Sequence, residues 1–158
     1  MIEQDVAALL AARGEKLAVA ESSAGGLIAA RLLALPGASA FFLGGGVIYT
    51  AAAREGLLGI TAADMAGMRP STEPYAALLA QRVRLRLDAD WGLAETGATG
   101  PAGNRYGDAA GHACLAVAGR RARVATLETG QGDRAANMQR FADAALRLLR
   151  DALRGESS

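Results

Sequence analysis

Two serines near the start of the chain are the first residues that could do chemistry. Ser22 and Ser23 lie between Glu21 and the pair Gly25 and Gly26, just before a segment of helical spacing. A serine hydroxyl is a nucleophile when a base takes its proton, and backbone N–H groups at a helix start can hold a developing oxyanion. The alternative is that either serine only caps the helix, which is the commoner role of serine at such a position.

A glycine-rich segment forms a second candidate site. Gly97, Thr99 and Gly100 belong to it, and glycines allow a phosphate to approach backbone amides closely. The segment has neither the lysine of a P-loop nor the glycine spacing of a dinucleotide-binding loop, and an ordinary surface loop is the alternative. Further along, Asp133 is a natural helix cap, and Arg134 is either a solvated side chain or a phosphate clamp.

Composition excludes several classes of function. The 158 residues carry a net charge of +1, so neither a nucleic-acid partner nor an anionic membrane is indicated. Cys114 and His112 are the only residues of their types, which excludes a Cys/His metal site, and we expect no metal. No apolar run approaches the ~20 residues that cross a bilayer, and no signal peptide is evident. We therefore expect a cytoplasmic protein.

Apolar strand-like segments alternate with segments of helical spacing, and two further strands form a hairpin. This order predicts an α/β fold with a mixed sheet covered by helices on both faces, in a single three-layer domain over residues 1–158. The tail 155–158 is expected to fray. The predicted helices cover 2–13, 27–35, 51–58, 72–87 and a segment after Asp133, and the predicted strands cover 17–20, 41–50, 91–95, 112–118 and 123–128.

Taken in order, these segments resemble the CinA C-terminal domain family. Residues 20–26 resemble its A-E-S-C-T-G-G signature, and residues 97–101 are similar to its G-I-A-G-P loop. Residues 71–74 look like its V-S-E-P helix start, and residues 132–134 match its G-D-R element. The resemblance extends over nearly the whole chain.

The resemblance implies a nicotinamide mononucleotide amidohydrolase, which releases ammonia from the carboxamide and leaves the acid mononucleotide, without a metal or cofactor. The family mechanism uses a serine nucleophile, a tyrosine and a lysine base, and these positions are Ser22, Tyr49 and Arg54 here. The partner is then a small pyridine mononucleotide, and a homo-oligomer is compatible with the pattern. We expect substrate or phosphate contacts from Ser23, Gly25, Gly26, Gly97, Thr99, Gly100 and Arg134.

The chain departs from the family pattern where the base should be. The family has Y-S-N-E-A-K, whereas residues 49–54 are Y-T-A-A-A-R, and an arginine stays protonated and cannot act as a general base. Three other residues could replace the lysine. Lys16 precedes Ser22 by roughly 20 Å of strand, His112 has a suitable pKa but is expected to be structural, and Glu21 is expected to bind loop amides.

Two functions from different classes therefore stay open. One is an amidase with Ser22 as nucleophile, and the other is a catalytically silent relative that serves as a nucleotide-binding or assembly module. A hydrolase with a shifted substrate is a third alternative, because residues 103–111 differ from the family pattern. In each case we expect Ser22 and Tyr49 to border one pocket, because each lies at the end of a strand that runs toward the ligand side. We expect Arg54 to point into the same pocket, because it occupies the lysine position.

Overall fold

The structure is a computed structural model, and it describes residues 1–155. These residues form one sheet and the helices around it. The strands are β1 Leu17–Glu21, β2 Phe42–Val47, β3 Trp91–Ala98, β4 His112–Ala118 and β5 Arg123–Glu128. The helices are α1 Ile2–Arg13, α2 Leu27–Leu33, α3 Ala51–Leu58, α4 Ala62–Met65, α5 Glu73–Arg86 and α6 Arg134–Arg154.

The sheet is mixed, as the sequence predicts. Its strand order is β2-β1-β3-β4-β5, with β2, β1 and β3 parallel and β4 and β5 antiparallel to their neighbours. The parallel strands end at Val47, Glu21 and Ala98, and His112 at the start of β4 lies opposite Ala98. The carboxyl ends of β1, β2 and β3 therefore lie together at one end of the sheet.

Two cores lie on the two faces of the sheet. Alternation along β1 divides them, since Val19 faces a core with α1, α2 and α6, and Ala18 faces a core with α3, α4 and α5. The first core holds the large buried side chains Trp91 and Phe141. Helices thus cover both faces, which confirms the predicted α/β arrangement of three layers.

The bounds of some elements differ from the predicted ones because tertiary contacts or helix caps determine where those elements end. β3 continues past residue 95 to Ala98 because Thr96–Ala98 pair with β4. β2 ends at Val47 because Thr50 instead caps α3, its hydroxyl accepting a hydrogen bond from the N–H of Ala53 at 3.1 Å. The short helix α4 was not predicted, and it begins at a capping box between Thr61 and Asp64.

Several predicted helix ends are confirmed. Gly14 terminates α1 with a φ of 63°, and Thr72 and Asp133 cap α5 and α6. In the tail, Gly155 is the C-cap of α6, and the predicted fraying stays a prediction because 156–158 lie outside the described residues. Within 1–155, no helix combines the length and apolar character that crossing a membrane requires.

Candidate functional site

A cleft of about 690 Å³ lies beyond the carboxyl ends of the parallel strands. Ser22 enters it from the end of β1, Tyr49 from the end of β2 and Arg54 from α3. The structure therefore brings together the three residues expected to share a pocket. All three tyrosines of the chain line it, the others being Tyr75 and Tyr106.

Glu95, which the sequence analysis did not single out, holds the loop that carries Ser22. One of its oxygens accepts hydrogen bonds from the N–H groups of Ser22 at 3.0 Å and Ala24 at 2.8 Å, and the other accepts from the Ser23 hydroxyl. Glu95 is 0% exposed. Burial raises the pKa of its carboxyl, the three hydrogen bonds oppose that rise, and the nearby charge of Glu21 adds to it.

Glu21 binds loop amides instead of facing the cleft as a base. Its carboxylate accepts from the N–H groups of Gly26 at 3.1 Å, Ile28 at 2.8 Å and Ala29 at 3.0 Å, and burial raises its pKa against these bonds. The amide of Gly25 donates to the carbonyl of Ser22 at 3.1 Å. The amides of Gly25 and Gly26 thus have acceptors within the protein, and their expected contact with a ligand stays a prediction.

Arg54 lies beside an aromatic ring. Its guanidinium lies 5.8 Å from the centre of the Tyr75 ring, and within residues 1–155 it forms no ion pair. Burial raises the pKa of the Tyr75 phenol, and a hydrogen bond with Arg54 opposes the rise. Arg54 thus places a permanent cation where the sequence resemblance implies a base.

The other candidate bases lie outside the cleft. Lys16 donates to the carbonyl of Ala40 at 2.5 Å, at the opposite end of β1 from Ser22. His112 has Glu128 at 2.5 Å from one ring nitrogen and the carbonyl of Ser71 at 2.8 Å from the other. In residues 1–155, no side chain forms a hydrogen bond with the hydroxyl of Ser22.

A smaller cavity of about 220 Å³ adjoins the cleft and shares Tyr49 and Gly97 with it. Arg134 lies in this cavity, where it donates to the carbonyl of Gly100 at 2.7 Å and to the hydroxyl of Tyr49 at 3.4 Å. Ser23 and Thr99 complete the set, so the expected phosphate-contacting residues of the glycine-rich segment and of α6 do meet.

A buried amide that the sequence analysis missed fixes the glycine-rich segment. Asn137 is 0% exposed, and its side chain donates to the carbonyls of Thr99 at 2.9 Å and Gln131 at 2.8 Å. Its oxygen accepts from the Thr129 hydroxyl at 2.8 Å. Asn137 thereby ties α6 to the wall of the small cavity, a role that no local pattern in the helix indicates.

The far wall of the cleft comes from the stretch that departs from the family pattern. Arg69 binds both oxygens of Asp108, at 2.8 and 3.2 Å, and its guanidinium lies 5.1 Å from the ring centre of Tyr106. Arg105 approaches the same ring at 5.0 Å. Asn104 holds the turn by accepting from the N–H groups of Tyr106 and Asp108. The sequence indicates that this stretch is altered, but it does not identify these residues as the wall of a cleft.

The charged side chains that line the cleft in the described residues are all basic. Its lining in the described chain includes Arg54, Arg69 and Arg105, and it includes no aspartate or glutamate. No group of three His, Cys, Asp or Glu side chains suited to a metal ion occurs within residues 1–155.

Comparisons with known proteins agree on one family. The model of the CinA C-terminal domain matches residues 1–153. A CinA-like protein of Anaeromyxobacter sp. (strain K) is 43% identical over 149 residues, covering 94% of this chain and 36% of that protein. A CinA-like protein of Chlorobium luteolum is 38% identical over 161 residues, covering 98% of this chain and 37% of that protein. The chain thus spans about a third of the length of these curated relatives.

Solved structures give the same result. The chain resembles a competence-damaged protein (CinA) superfamily protein of Klebsiella pneumoniae with a TM-score of 0.90 and 28% identity, covering 98% of this chain and 96% of that one. It resembles a member of the same superfamily from Escherichia coli with a TM-score of 0.85 and 30% identity, covering 95% and 90%. The predicted fold is therefore confirmed by chains of nearly equal extent.

Proposed function

The chain belongs to the CinA C-terminal domain family, and on that premise we propose that its cleft binds a pyridine mononucleotide and hydrolyses the carboxamide slowly. The supporting observation is the convergence of Ser22, Tyr49 and Arg54 on one cleft. The products of the proposed reaction are ammonia and the acid mononucleotide. We propose that the protein acts in the cytoplasm, without a nucleic-acid or membrane partner.

Each group has a proposed role. The hydroxyl of Ser22 adds to the carboxamide carbon, ammonia leaves, and water then hydrolyses the acyl-serine to the carboxylate. Glu95 positions Ser22 by accepting a hydrogen bond from the backbone N–H of Ser22. Tyr49 borders both cavities, and Arg134 with Thr99 and the surrounding glycines forms the pocket proposed for the phosphate.

The reaction is expected to be slow because Ser22 lacks a base. The family lysine is Arg54, and Lys16 and His112 are engaged elsewhere. Loss of a general base typically costs ~10²–10⁴-fold in rate. We therefore expect turnover of nicotinamide mononucleotide lower by about that factor than in a relative with the complete Y-S-N-E-A-K stretch.

The test is ammonia release from nicotinamide mononucleotide by a matched series of variants. Activity should rise from the natural protein to Arg54→Lys, and again when Ala24→Thr, Ala51→Asn and Ala52→Glu are added, because these restore a base and the polar groups near it. Adding Ser22→Ala to the most active variant should abolish activity. Full activity of the natural protein, or activity that survives Ser22→Ala, would contradict the proposed mechanism.

A second candidate function is nucleotide binding without turnover, as a sensor or assembly module. The unpartnered hydroxyl of Ser22 favours it, since an alcohol without a base is a weak nucleophile near neutral pH. The same series separates the two functions. Binding of nicotinamide mononucleotide by calorimetry, with no ammonia released by the natural protein over many hours, would establish the second.

A further inference from the structure

Two of the three arginines lining the cleft have no carboxylate partner. Arg69 is neutralised by Asp108, which accepts two hydrogen bonds from its guanidinium. Arg54 and Arg105 form no ion pair within residues 1–155, and no acidic side chain lines the cleft there. The cleft therefore carries an uncompensated positive charge, and clefts of one sign concentrate ligands of the opposite sign.

The surroundings of Arg54 leave its positive charge available to an anion. It is half-buried, and its neighbour Tyr75 is a buried phenol whose raised pKa keeps it neutral, so the phenol does not balance the guanidinium. It lines the same cleft as Ser22. A guanidinium presents paired N–H donors that match the two oxygens of a carboxylate.

A third guanidinium without an ion-pair partner in residues 1–155, that of Arg134, lies in the adjoining cavity. Arg134 contacts only neutral oxygens there, the carbonyl of Gly100 at 2.7 Å and the hydroxyl of Tyr49 at 3.4 Å. Tyr49, Gly97 and Asn104 line both cavities, so the two cavities are adjacent. A cation therefore lies in each of two adjacent cavities, an arrangement that suits a molecule with an anionic group at each end.

From this arrangement we infer that the cleft selects a mononucleotide whose base carries a carboxylate, with Arg54 as the residue that recognises that carboxylate. The inference rests on the proposed function and specifies the ligand class of the same site. Arg134 binds the phosphate in the smaller cavity, and Arg54 binds the carboxylate in the cleft. The acid mononucleotide is thus the preferred ligand, and the carboxamide is the weaker one.

Chemistry explains the preference. A carboxylate offers two charged acceptors to a guanidinium, whereas a carboxamide offers one neutral acceptor and an NH₂ group that repels the N–H donors of Arg54. Hydrogen bonds between charged groups are worth roughly twice those between neutral ones, so the acid should bind about tenfold more tightly or better. The protein then retains the deamidated nucleotide rather than its amide.

Calorimetric titration with nicotinic acid mononucleotide and with nicotinamide mononucleotide tests the inference. The natural protein should bind the acid about tenfold more tightly or better. Arg54→Met should remove that preference, and Arg54→Lys, which keeps the charge, should retain part of it when Ser22→Ala is also present to prevent turnover. Arg134→Met should weaken both ligands by the same factor. Arg147→Met is the matched control, because it removes an equal charge from the surface of α6, where Arg147 pairs with Asp143.

The outcomes separate the inference from the proposed function. Equal affinity for the acid and the amide in the natural protein would overturn the role of Arg54 while leaving the proposed site in place. A preference for the acid that survives in Arg54→Met would also overturn it. Binding of neither nucleotide would overturn the proposed function itself. Thermal melts of each variant verify that the binding data come from folded protein.

Discussion

Glu95 shows how much of the site depends on a single buried carboxylate. It gives acceptors to three donors on the loop from Ser22 to Ala24, two of them backbone N–H groups. The donors of Ser23 and Ala24 lose their acceptor in a buried environment when the side chain is removed, because both residues are buried. The cost of removing Glu95 is therefore set by unsatisfied donors and not by lost charge.

We expect Glu95→Ala to lower the free energy of unfolding by roughly 3 kcal/mol or more, since each orphaned buried donor costs about 1–3 kcal/mol. Glu95→Gln should cost less, because its amide oxygen can still accept from the N–H groups of Ser22 and Ala24 and no charge is buried. Urea denaturation measures both. Glu55→Ala, at an exposed position of α3, is the control and should change little. Equal losses in Glu95→Ala and Glu95→Gln would contradict this explanation.

At the level of single residues, the sequence predicted the side chains that line the cleft better than the buried side chains that hold the loops around it. The meeting of Ser22, Tyr49 and Arg54 follows from strand ends and the family resemblance. Glu95 and Asn137 carry no local signal, because an acid within a strand or an amide within a helix acquires its role only from segments distant in the chain. Their contacts span 73 and 38 residues, so only the tertiary structure reveals them.

Among the elements, α5 approaches the sheet unusually closely. Its buried face includes Ala76 and Ala80, and it packs against Ala94 and Gly92 of β3. A Cβ at Gly92 would lie 2.0 Å from the carbonyl oxygen of Ala80, well inside contact distance. Small side chains on both surfaces thus determine the separation of helix and sheet.

We expect Gly92→Ala to destabilise the protein by about 1–3 kcal/mol, because α5 must move away from β3 to accommodate the methyl group. Gly56→Ala makes the matched comparison. Gly56 lies within α3 with nothing within 4 Å of the added Cβ, so this change should stabilise by about 0.5–1 kcal/mol. Thermal denaturation measures both changes. A Gly92→Ala protein as stable as the natural one would show that α5 is not held where described.

The elements were predictable where local pattern and tertiary structure agree. The bounds of α3, β4 and β5 match the prediction because caps, turns and alternation coincide there. The end of β3 did not match, since Thr96 and Gly97 look like loop residues and become strand only by pairing with β4. The four residues of α4 are too few to show a helical period, and their capping box passed unnoticed.

In the molecule as a whole, His112 joins segments that approach the site from different directions. It lies on β4 and contacts Glu128 at the end of β5, the carbonyl of Ser71 before α5, and Asp108 at 3.7 Å in the far wall of the cleft. Burial lowers the pKa of His112, but the Glu128 carboxylate, the Ser71 carbonyl and the charge of Asp108 outweigh burial and raise it above 6.5. Its proton therefore helps hold these segments together.

The sign of the pH dependence follows from that shift. A histidine whose pKa is raised in the folded state contributes stability that is fully present below its unfolded pKa, near 6.5, and is lost as pH rises through the folded value. We expect the free energy of unfolding to decrease from about pH 6.5 upward. In His112→Gln this component of the slope should disappear, as a comparison of urea titrations at several pH values will show. An unchanged slope in the variant, or a rise with pH that His112→Gln abolishes, would contradict this role for His112.

Glu21 and Glu95 also determine the entropy that a ligand must give up on binding. Fixing one residue of backbone costs about 1–2 kcal/mol in conformational entropy. The two carboxylates already fix the segment from Ser22 to Ala29 through its own amides, so that cost is met when the chain folds. A nucleotide of the proposed kind would find the segment ordered. Most of the free energy of its contacts with the guanidinium groups can then appear as affinity.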